Sequence, residues 1–394
     1  MPKIRPTLQR WAHQADRAVG RFAQRVFPNA QHLPARALAP VGIPSPMLSS
    51  TFGDEPGGIS RISDSVTTVI RVNQTVQTKG SKYQVLHPYP KREEDKVGAM
   101  SSLFMVECEE SERSKLVGQR FLLKWFNKEA FPEEYWDSLL LRFGREIDIM
   151  RETASRHIVP IMDWDQDVYP SFYLMNYIGP DAGHWLDLAD KFHPKVACMI
   201  ISQVLSGLIA VEKSIAAHRD IKPENIFLKA DCQFNKQGDL EIRNEAQIIM
   251  ALQGQIPAKG IIHAALGDFG IARRPDSQLT QFSFIGTPAW AAPEAIRDSS
   301  KADYRSDIFS LGAVLFRMIV GDDPLIPEIW FYNSQTESGA ADYLNANVKS
   351  KERPKNCLPL LWQTIVKAMS ADPAERLSTY AKFKANLDLA AERI

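Results

Sequence analysis

The amino-acid sequence predicts an α+β fold in which a small sheet-rich part precedes a larger helical part. Short segments of β-like composition, Leu103–Cys108 and Arg120–Trp125, come first. A helical pattern follows over Ser138–Thr153, and a further β-like segment lies at Phe172–Tyr177. After about Trp185 the pattern is mainly helical. Strands grouped ahead of helices are typical of α+β domains.

The composition is that of an ordinary globular protein. Of 394 residues, 44% are apolar and 24% are charged, which argues against a disordered or fibrous chain. The 47 Lys and Arg residues balance the 47 Asp and Glu residues, so the formal net charge is zero. Without a net field that attracts polyanions, we expect no nucleic-acid partner.

The cysteines and the apolar runs indicate the compartment. Four cysteines lie far apart in no paired spacing, which argues against a zinc site or a disulfide framework and favours a reducing environment. The start of the chain lacks the continuous apolar stretch of a secretory signal. Val196–Val211 is interrupted by Ser202, Gln203 and Ser206, and is better interpreted as a buried helix than as a membrane span. We therefore expect a cytoplasmic protein.

Residues 1–27 have the pattern of a basic amphipathic helix. Their apolar residues recur at helical spacing, at Leu8, Trp11, Ala15, Val19, Phe22 and Val26. Asp16 is their only acid, and arginines flank the apolar stripe at Arg10, Arg17, Arg21 and Arg25. Such a helix can lie on an anionic membrane surface, bind a partner groove, act as a targeting segment or dock onto its own domain. The sequence leaves these alternatives open.

Residues 28–82 predict a tether ahead of a domain over residues 83–389. Pro28–Gly58 is rich in Pro and Ala and has neither a helical nor a strand period. Ser60–Thr78 is rich in Ser and Thr, and its β-branched alternation predicts an extra strand or an extended tether.

The stretch from His218 to Asn225 carries residues suited to phosphoryl transfer. That chemistry needs a carboxylate that accepts the proton of the attacking hydroxyl, a cation near the phosphate and a metal ligand. Asp220, Lys222 and Asn225 supply these in order. Asp268-Phe269-Gly270 follows, with a carboxylate able to hold Mg²⁺ ahead of an apolar anchor and a glycine.

In this order, with Ala292-Pro293-Glu294 following, the motifs resemble the catalytic loop, metal loop and activation-segment end of eukaryotic-type (Hanks-type) serine/threonine protein kinases. The resemblance implies a bilobal fold with a small antiparallel-sheet lobe over 83–175 and a mainly helical lobe over 176–389. It also implies ATP and Mg²⁺ as cofactors, with Mn²⁺ as an alternative, and protein substrates with Ser or Thr acceptors.

Further landmarks imply the site residues. Lys124, in Phe121-Leu122-Leu123-Lys124, is similar to the lysine that contacts the ATP phosphates, and Glu146 to the glutamate that holds it. Met175-Asn176-Tyr177 resembles the hinge that binds adenine. Asp220 and Lys222 are implied as catalytic residues, and Asn225 and Asp268 as metal ligands. Structural roles are implied for the remaining landmarks: His218, Arg219, Phe269, Glu294, Asp307 and Arg376.

The acceptor class and the activation segment follow from the same resemblance. Lys222 and Thr287, in Gly286-Thr287-Pro288-Ala289-Trp290, resemble the serine/threonine-specific branch, although Trp290 stands where a tyrosine is more usual. Arg219 implies a contact with a phosphate added to the activation segment. We hypothesise autophosphorylation there, with activation through Thr280 or Ser283; Thr287 is a further hydroxyl of the segment.

Departures from the family pattern support alternatives. The glycine-rich loop aligns best at Gly98-Ala99-Met100-Ser101-Ser102-Leu103, where only Gly98 remains. Leu122 and Phe227 replace smaller residues of the adenine site and predict a reshaped purine pocket. A pseudokinase that acts as a scaffold is therefore the main rival, and a small-molecule kinase is a third interpretation.

Two insertions accompany these changes. Residues 229–264 lengthen the connection between the catalytic and metal loops, and a surface hairpin is favoured there over a docking element. Ile329–Pro354 falls where kinases carry variable partner-binding helices. Substrate, activating signal and oligomeric state are not predicted.

Overall fold

The computed structural model describes residues 72–89, 101–126, 136–165, 171–234, 240–270, 272 and 286–394. The predicted helix of residues 1–27, most of the predicted tether, Gly98, Thr280 and Ser283 lie outside the described residues. The described chain forms two compact units. The first contains the residues up to Phe143 and Ile161–Tyr177, and the second contains Gly144–Pro160 and Ile178–Ile394.

The first unit is built on a six-stranded antiparallel sheet. Its strands are β1 (Thr75–Gln77), β2 (Ser81–Tyr89), β3 (Ser101–Ser111), β4 (Arg120–Phe126), β5 (Ile161–Asp165) and β6 (Phe172–Asn176), in the spatial order β1-β2-β3-β4-β6-β5. Alternate side chains of the strands share one face, and Val85, Val106, Leu123 and Leu174 are buried in one apolar cluster on it. Helix α1 (Trp136–Glu152) begins in this unit and ends in the second.

The two units differ from the predicted domain limits at two places. The sheet begins at Thr75, inside the predicted tether, because Val76 packs in the apolar cluster and pairs with Tyr83 of β2. Gly144–Pro160 belongs to the second unit rather than to the predicted small lobe. Two backbone hydrogen bonds join this segment to Leu266 of the second unit: the Val159 N–H donates to the Leu266 carbonyl, and the Leu266 N–H donates to the His157 carbonyl.

The second unit is mainly helical. Its helices are α2 (Ala182–Ala189), α3 (Pro194–Val211), α4 (Glu245–Leu252), α5 (Pro293–Arg297), α6 (Tyr304–Val320), α7 (Pro327–Asn333), α8 (Glu337–Leu344), α9 (Pro359–Ala368) and α10 (Tyr380–Arg393). Short strands β7 (Ile226–Leu228) and β10 (Ala264–Leu266) pair with each other, as do β8 (Cys232–Phe234) and β9 (Leu240–Ile242). The two units together confirm the predicted α+β fold class.

Helices α3 and α6 form the core of the second unit. By length and composition, α3 alone among the described helices could cross a membrane, but 67% of that stretch is buried and α10 packs along it. Helix α6 begins at the N-cap Asp303, whose carboxylate accepts the Arg305 N–H, and ends at Gly321 in the left-handed conformation. Most of its side chains are buried, so it fixes the loops that pack around it.

The insertion at 229–264 contains the favoured hairpin, β8–β9, and also helix α4. Ile248 and Leu252 of α4 are fully buried, and α4 packs against α2 and α3. The apolar patch at Ile248–Met250 is therefore partly a core contact, although Met250 is 40% exposed.

The second insertion contains α7, α8 and a π-helical turn at Asn345–Lys349. Trp330 of α7 is fully buried, stacks on Phe309 at a ring-centroid distance of 5.7 Å and contacts Tyr343 at 5.3 Å. Its indole N–H donates to the Ala291 carbonyl at 2.9 Å. These contacts fix α7 beside the segment that precedes α5.

Candidate active site

The loop His218–Asn225 joins α3 to β7 and is held from behind by α6. Arg219 has a positive φ of 72°, which a side chain with a Cβ rarely adopts. The Asp307 carboxylate of α6 compensates by accepting the N–H groups of His218 at 2.7 Å and Arg219 at 2.9 Å. The Tyr380 hydroxyl donates to the same carboxylate at 2.6 Å. Burial raises the pKa of Asp307, while His218 and these donors act against that shift.

Asp220 lies at the centre of a polar cluster. Lys222 Nζ is 2.8 Å from Asp220 Oδ2, and the Asn225 amide nitrogen donates to the same oxygen at 3.1 Å. The Thr287 hydroxyl donates to Asp220 Oδ1 at 2.8 Å and accepts from Lys222 Nζ at 3.0 Å. A closed triangle of carboxylate, ammonium and hydroxyl therefore fixes the orientation of the Asp220 side chain.

Lys222 is held in its charged form. Burial lowers the pKa of Lys222, but the attraction of Asp220, the hydrogen bond to it and the charges of Asp268 and Glu224 outweigh this and raise the pKa. The group is therefore a permanent cation at neutral pH. A fixed cation in a largely buried position suits a site that binds phosphate.

The Asp268 loop packs against the Asp220 loop. Phe269 is 1% exposed, and its ring meets the His218 ring edge-on at 4.6 Å. The Asp220 N–H donates to His218 Nδ1 at 3.3 Å, and His218 Nε2 lies 3.2 Å from the Gly267 carbonyl oxygen. Asp268 has a positive φ of 61°.

Gly267 and Gly270, on either side of Asp268 and Phe269, allow neighbouring side chains to pack closely against the loop. A Cβ at Gly267 would lie 3.0 Å from the Phe227 ring, so a larger residue would require that ring to shift by a few tenths of an ångström. A Cβ at Gly270 would lie 3.2 Å from Asp268 Oδ1 and 3.3 Å from a carboxylate oxygen of Glu146. Glu146, 1% exposed, therefore borders the Asp268 loop within the second unit.

Asn225 and Asp268 are the residues that could hold a divalent cation. The Asn225 amide nitrogen donates to the Asp220 carbonyl at 2.7 Å, which leaves its Oδ1 as a ligand atom. Among the described residues no group of three or more His, Cys, Asp or Glu could hold a metal. One carboxylate and one amide oxygen, completed by phosphate oxygens and water, nevertheless fit Mg²⁺, which dehydrates reluctantly and uses few protein ligands.

A buried ion pair fixes the end of the activation segment. Arg376 donates from both terminal nitrogens to the two oxygens of Glu294, at 2.7 and 2.8 Å, and the Ser306 hydroxyl donates to Glu294 at 2.7 Å. Burial alone would raise the pKa of Glu294, but Arg376 and Ser306 hold it below its ordinary value. The pair ties α5 to the turn ahead of α10.

Comparison with known proteins identifies the family. The protein kinase domain family matches residues 110–386, which is most of the chain. The chain belongs to the protein kinase family. The predicted family is therefore confirmed, and it implies ATP and a divalent metal as cofactors.

Curated relatives of this kinase are serine/threonine kinases. It is 28% identical over 257 residues to "Serine/threonine-protein kinase pkn3" of Myxococcus xanthus, covering 62% of this chain and 41% of the relative. It is 25% identical over 260 residues to PknL and 26% identical over 288 residues to PknE, both of Mycobacterium tuberculosis. These alignments cover 66% and 72% of this chain, and 56% and 42% of the relatives. The kinase thus spans only about half the length of these relatives.

The structure brings some predicted site residues of the kinase together in the second unit. Asp220, Lys222 and Asn225 form one cluster, and the Asp268 loop packs on it through Phe269 and His218. Their catalytic and metal-binding roles stay predictions.

Three other predicted site residues lie in the first unit. Lys124, 6% exposed, is in β4, where its ammonium lies 5.8 Å from the Tyr173 ring centroid. Met175 is buried in β6, and Tyr177 follows that strand. The predicted pair of Lys124 with Glu146, and the adenine contacts, stay predictions.

The contacts of three side chains in the kinase were not predicted from the sequence. Thr287 was assigned to the activation segment, yet its hydroxyl contacts Asp220 and Lys222 directly. Ser306 and Tyr380 complete the environments of Glu294 and Asp307. No local motif marks either side chain, because Ser306 lies 12 positions from Glu294 and Tyr380 lies 73 positions from Asp307.

Proposed function

We propose that the protein is an active serine/threonine kinase that transfers the γ-phosphoryl group of ATP to Ser or Thr hydroxyls of proteins. The observation that carries the proposal is the triangle of Asp220, Lys222 and Thr287. It presents an oriented carboxylate and a fixed cation at one place, which are the groups that phosphoryl transfer requires.

Asp220 orients the acceptor hydroxyl. Thr287, Lys222 and Asn225 engage the two oxygens of its carboxylate, but each oxygen has two lone pairs and retains capacity to accept a further hydrogen bond. An acceptor hydroxyl bound there is aligned and gives up its proton to the carboxylate. Preorganisation by three neighbours lowers the reorganisation cost when charge develops.

Lys222 stabilises the negative charge of the transferring group. Its raised pKa keeps it protonated through the physiological range, and the Thr287 hydroxyl holds its ammonium in place. Asn225 and Asp268 would hold Mg²⁺, which when bound neutralises phosphate charge. In the same proposal Lys124, held by Glu146, positions the ATP phosphates.

The proposal includes autophosphorylation of the activation segment. Arg219 adjoins Asp220 and belongs to a loop anchored by Asp307. A phosphate on Thr280 or Ser283 would pair with such an arginine by charge-assisted hydrogen bonds and order the segment.

The test is incubation with labelled ATP and Mg²⁺, followed by location of phosphate by mass spectrometry. We expect phosphate on Ser or Thr residues of a general protein substrate and on Thr280 or Ser283, and none in a matched Asp220→Asn variant. Label no higher than in that variant would favour a scaffold that lacks transfer activity. A Thr280→Ala, Ser283→Ala double variant with full activity would remove the activation hypothesis alone.

A further inference from the structure

The helices α7 and α8 present an acidic surface with exposed apolar side chains. Between Asp322 and Val348 the chain has five acidic residues and no Lys or Arg. Ile326, at the N-cap of α7, is 38% exposed, and Ile329 and Tyr332 are 49% and 75% exposed. Three large apolar side chains at intervals of three residues lie along one side of a short helix.

The side of α7 that carries Trp330 is fixed in the core. Trp330 is buried between Phe309 and Tyr343, and its indole N–H is bonded to Ala291. The Ile326 N–H is bonded to the Tyr343 hydroxyl at 2.8 Å. The buried contacts of Trp330 thus hold α7 in place. Ile326, Ile329 and Tyr332 are therefore exposed on a helix whose position is fixed.

The acidic residues of this surface are not neutralised within it. Asp322 pairs with Lys351 at 3.3 Å, and Asp323 pairs with Arg317 at 3.1 Å. Glu328, Glu337 and Asp342 are exposed and make no ion pair with another described residue. An apolar stripe bordered by unpaired acids is complementary to an amphipathic segment with basic flanks.

The same chain contains such a segment. Residues 1–27 carry six Lys and Arg residues against Asp16 alone, a formal charge of +5 that is opposite in sign to the three unpaired acids Glu328, Glu337 and Asp342. Their apolar stripe includes Leu8, Trp11 and Phe22, large side chains of the kind that anchor helices in grooves. An extended chain spanning residues 28–71 reaches up to roughly 150 Å, so tether length does not restrict where the segment docks.

We propose that residues 1–27 dock onto the α7–α8 surface of their own chain. The apolar stripe covers Ile326, Ile329 and Tyr332, and the arginines lie against Glu328, Glu337 and Asp342. This interaction is independent of catalysis, since none of these residues belongs to the Asp220 cluster. Because Trp330 also binds Ala291, the docked segment adjoins the end of the activation segment.

The test is site-specific photo-cross-linking in the full-length chain. A Tyr332→p-benzoylphenylalanine variant is irradiated as a mixture of ¹⁵N-labelled and unlabelled protein, and cross-links are mapped by mass spectrometry. The matched control is Leu188→p-benzoylphenylalanine, since Leu188 is an exposed apolar residue on α2 at 46% exposure. We expect cross-links from position 332 to residues 1–27 within single chains, with a yield independent of protein concentration and about tenfold above the control.

Charge reversal separates docking from chance proximity. Changing Arg10, Arg17, Arg21 and Arg25 to Glu should lower the yield at position 332 about tenfold and leave the yield at position 188 unchanged. Cross-links between labelled and unlabelled chains would assign the surface to a second copy and overturn docking within one chain. Equal yields at the two positions would also overturn it, as would binding of the segment to phosphatidylserine vesicles without any cross-link at position 332.

Discussion

Thr287 illustrates at the scale of one residue how the kinase fixes the Asp220 carboxylate, for which we propose a catalytic role. Its hydroxyl donates to Asp220 and accepts from Lys222, so it links an anion to a cation that already contact each other. Hydrogen bonds to charged groups contribute about 1.5–3 kcal/mol each, more than bonds between neutral groups. The hydroxyl therefore restrains the orientation of the Asp220 carboxylate.

We predict that Thr287→Val lowers kcat roughly 10- to 100-fold, the loss that one such hydrogen bond represents. Valine keeps the shape of threonine and removes only the hydroxyl. Thr287→Ser keeps the hydroxyl and should retain kcat within a few-fold. The measurement is steady-state phosphorylation of one protein substrate, with thermal unfolding to show that both variants are folded.

The comparison of the two variants decides the role of the hydroxyl. If Val and Ser lower kcat equally, the methyl group and its packing matter rather than the hydrogen bonds. If Val behaves as the wild type, the triangle does not orient Asp220.

Residues of the site could be predicted where their function depends on short spacing. Asp220, Lys222 and Asn225 lie within one loop, so their spacing in the sequence already predicts that their side chains lie together, as the structure shows. Thr287 is separated from Asp220 by 67 positions, and Tyr380 from Asp307 by 73. Hydroxyls are common in any sequence, and only the folded chain shows which of them meets a given carboxylate.

At the scale of elements, the Glu294–Arg376 pair joins α5 to the turn ahead of α10. The Arg376 side chain is fully buried and that of Glu294 is 9% exposed. Removal of one partner of such a pair leaves an uncompensated buried charge and costs about 3–5 kcal/mol. The pair therefore ties the end of the activation segment to the carboxyl-terminal helices.

We predict that the stability difference between wild type and Glu294→Gln depends on pH. The folded-state pKa of Glu294 lies below its ordinary value, so the pair contributes stability above that ordinary value, about 4.3, and loses it as pH falls through the folded pKa. Near pH 7 the free energy of unfolding of the variant should be about 3–5 kcal/mol lower than that of the wild type. This difference should become smaller below about pH 4.5. Urea unfolding at a series of pH values measures this.

The control is an exposed pair of the first unit. Lys82 and Glu110 lie 2.7 Å apart but their side chains are 38% and 67% exposed, so Glu110→Gln should cost less than about 1 kcal/mol. A stability difference between wild type and Glu294→Gln that stays constant with pH would show that the charge of the Glu294 carboxylate does not stabilise the fold.

Helices and strands were predicted well where one residue pattern dominates a segment. They were predicted less well where contacts between distant segments determine the secondary structure. The strands around Leu103–Cys108 and Arg120–Trp125 follow from β-branched and aromatic content. Helix α4 was not predicted, since three consecutive apolar residues at Ile248–Met250 obscure the helical spacing of Ile248, Ala251 and Leu252. Its stability depends on packing against α2 and α3, which no local pattern shows.

At the scale of the whole molecule, the effect of nucleotide on thermal stability shows whether the kinase binds ATP, without any measurement of phosphoryl transfer. A ligand that binds only the folded state at about 100 times its dissociation constant stabilises that state by about 2.7 kcal/mol. For domains of 150–250 residues each kcal/mol raises the melting temperature by about 2–4 °C. Thermal unfolding with and without nucleotide therefore tests whether the family's cofactors bind this chain.

We predict that ATP with Mg²⁺ raises the melting temperature by several degrees, and that EDTA removes most of the increase. Asp268→Asn should weaken the Mg²⁺-dependent part, because it removes the one carboxylate of the proposed ligand pair. Asp187→Asn, at an exposed position of α2, is the matched control and should respond as the wild type does. An increase that survives EDTA would contradict metal binding by Asn225 and Asp268, since nucleotide would then bind through other groups. If neither nucleotide nor metal changes the melting temperature while the chain remains folded, the protein does not bind ATP, and the scaffold interpretation would replace the catalytic one.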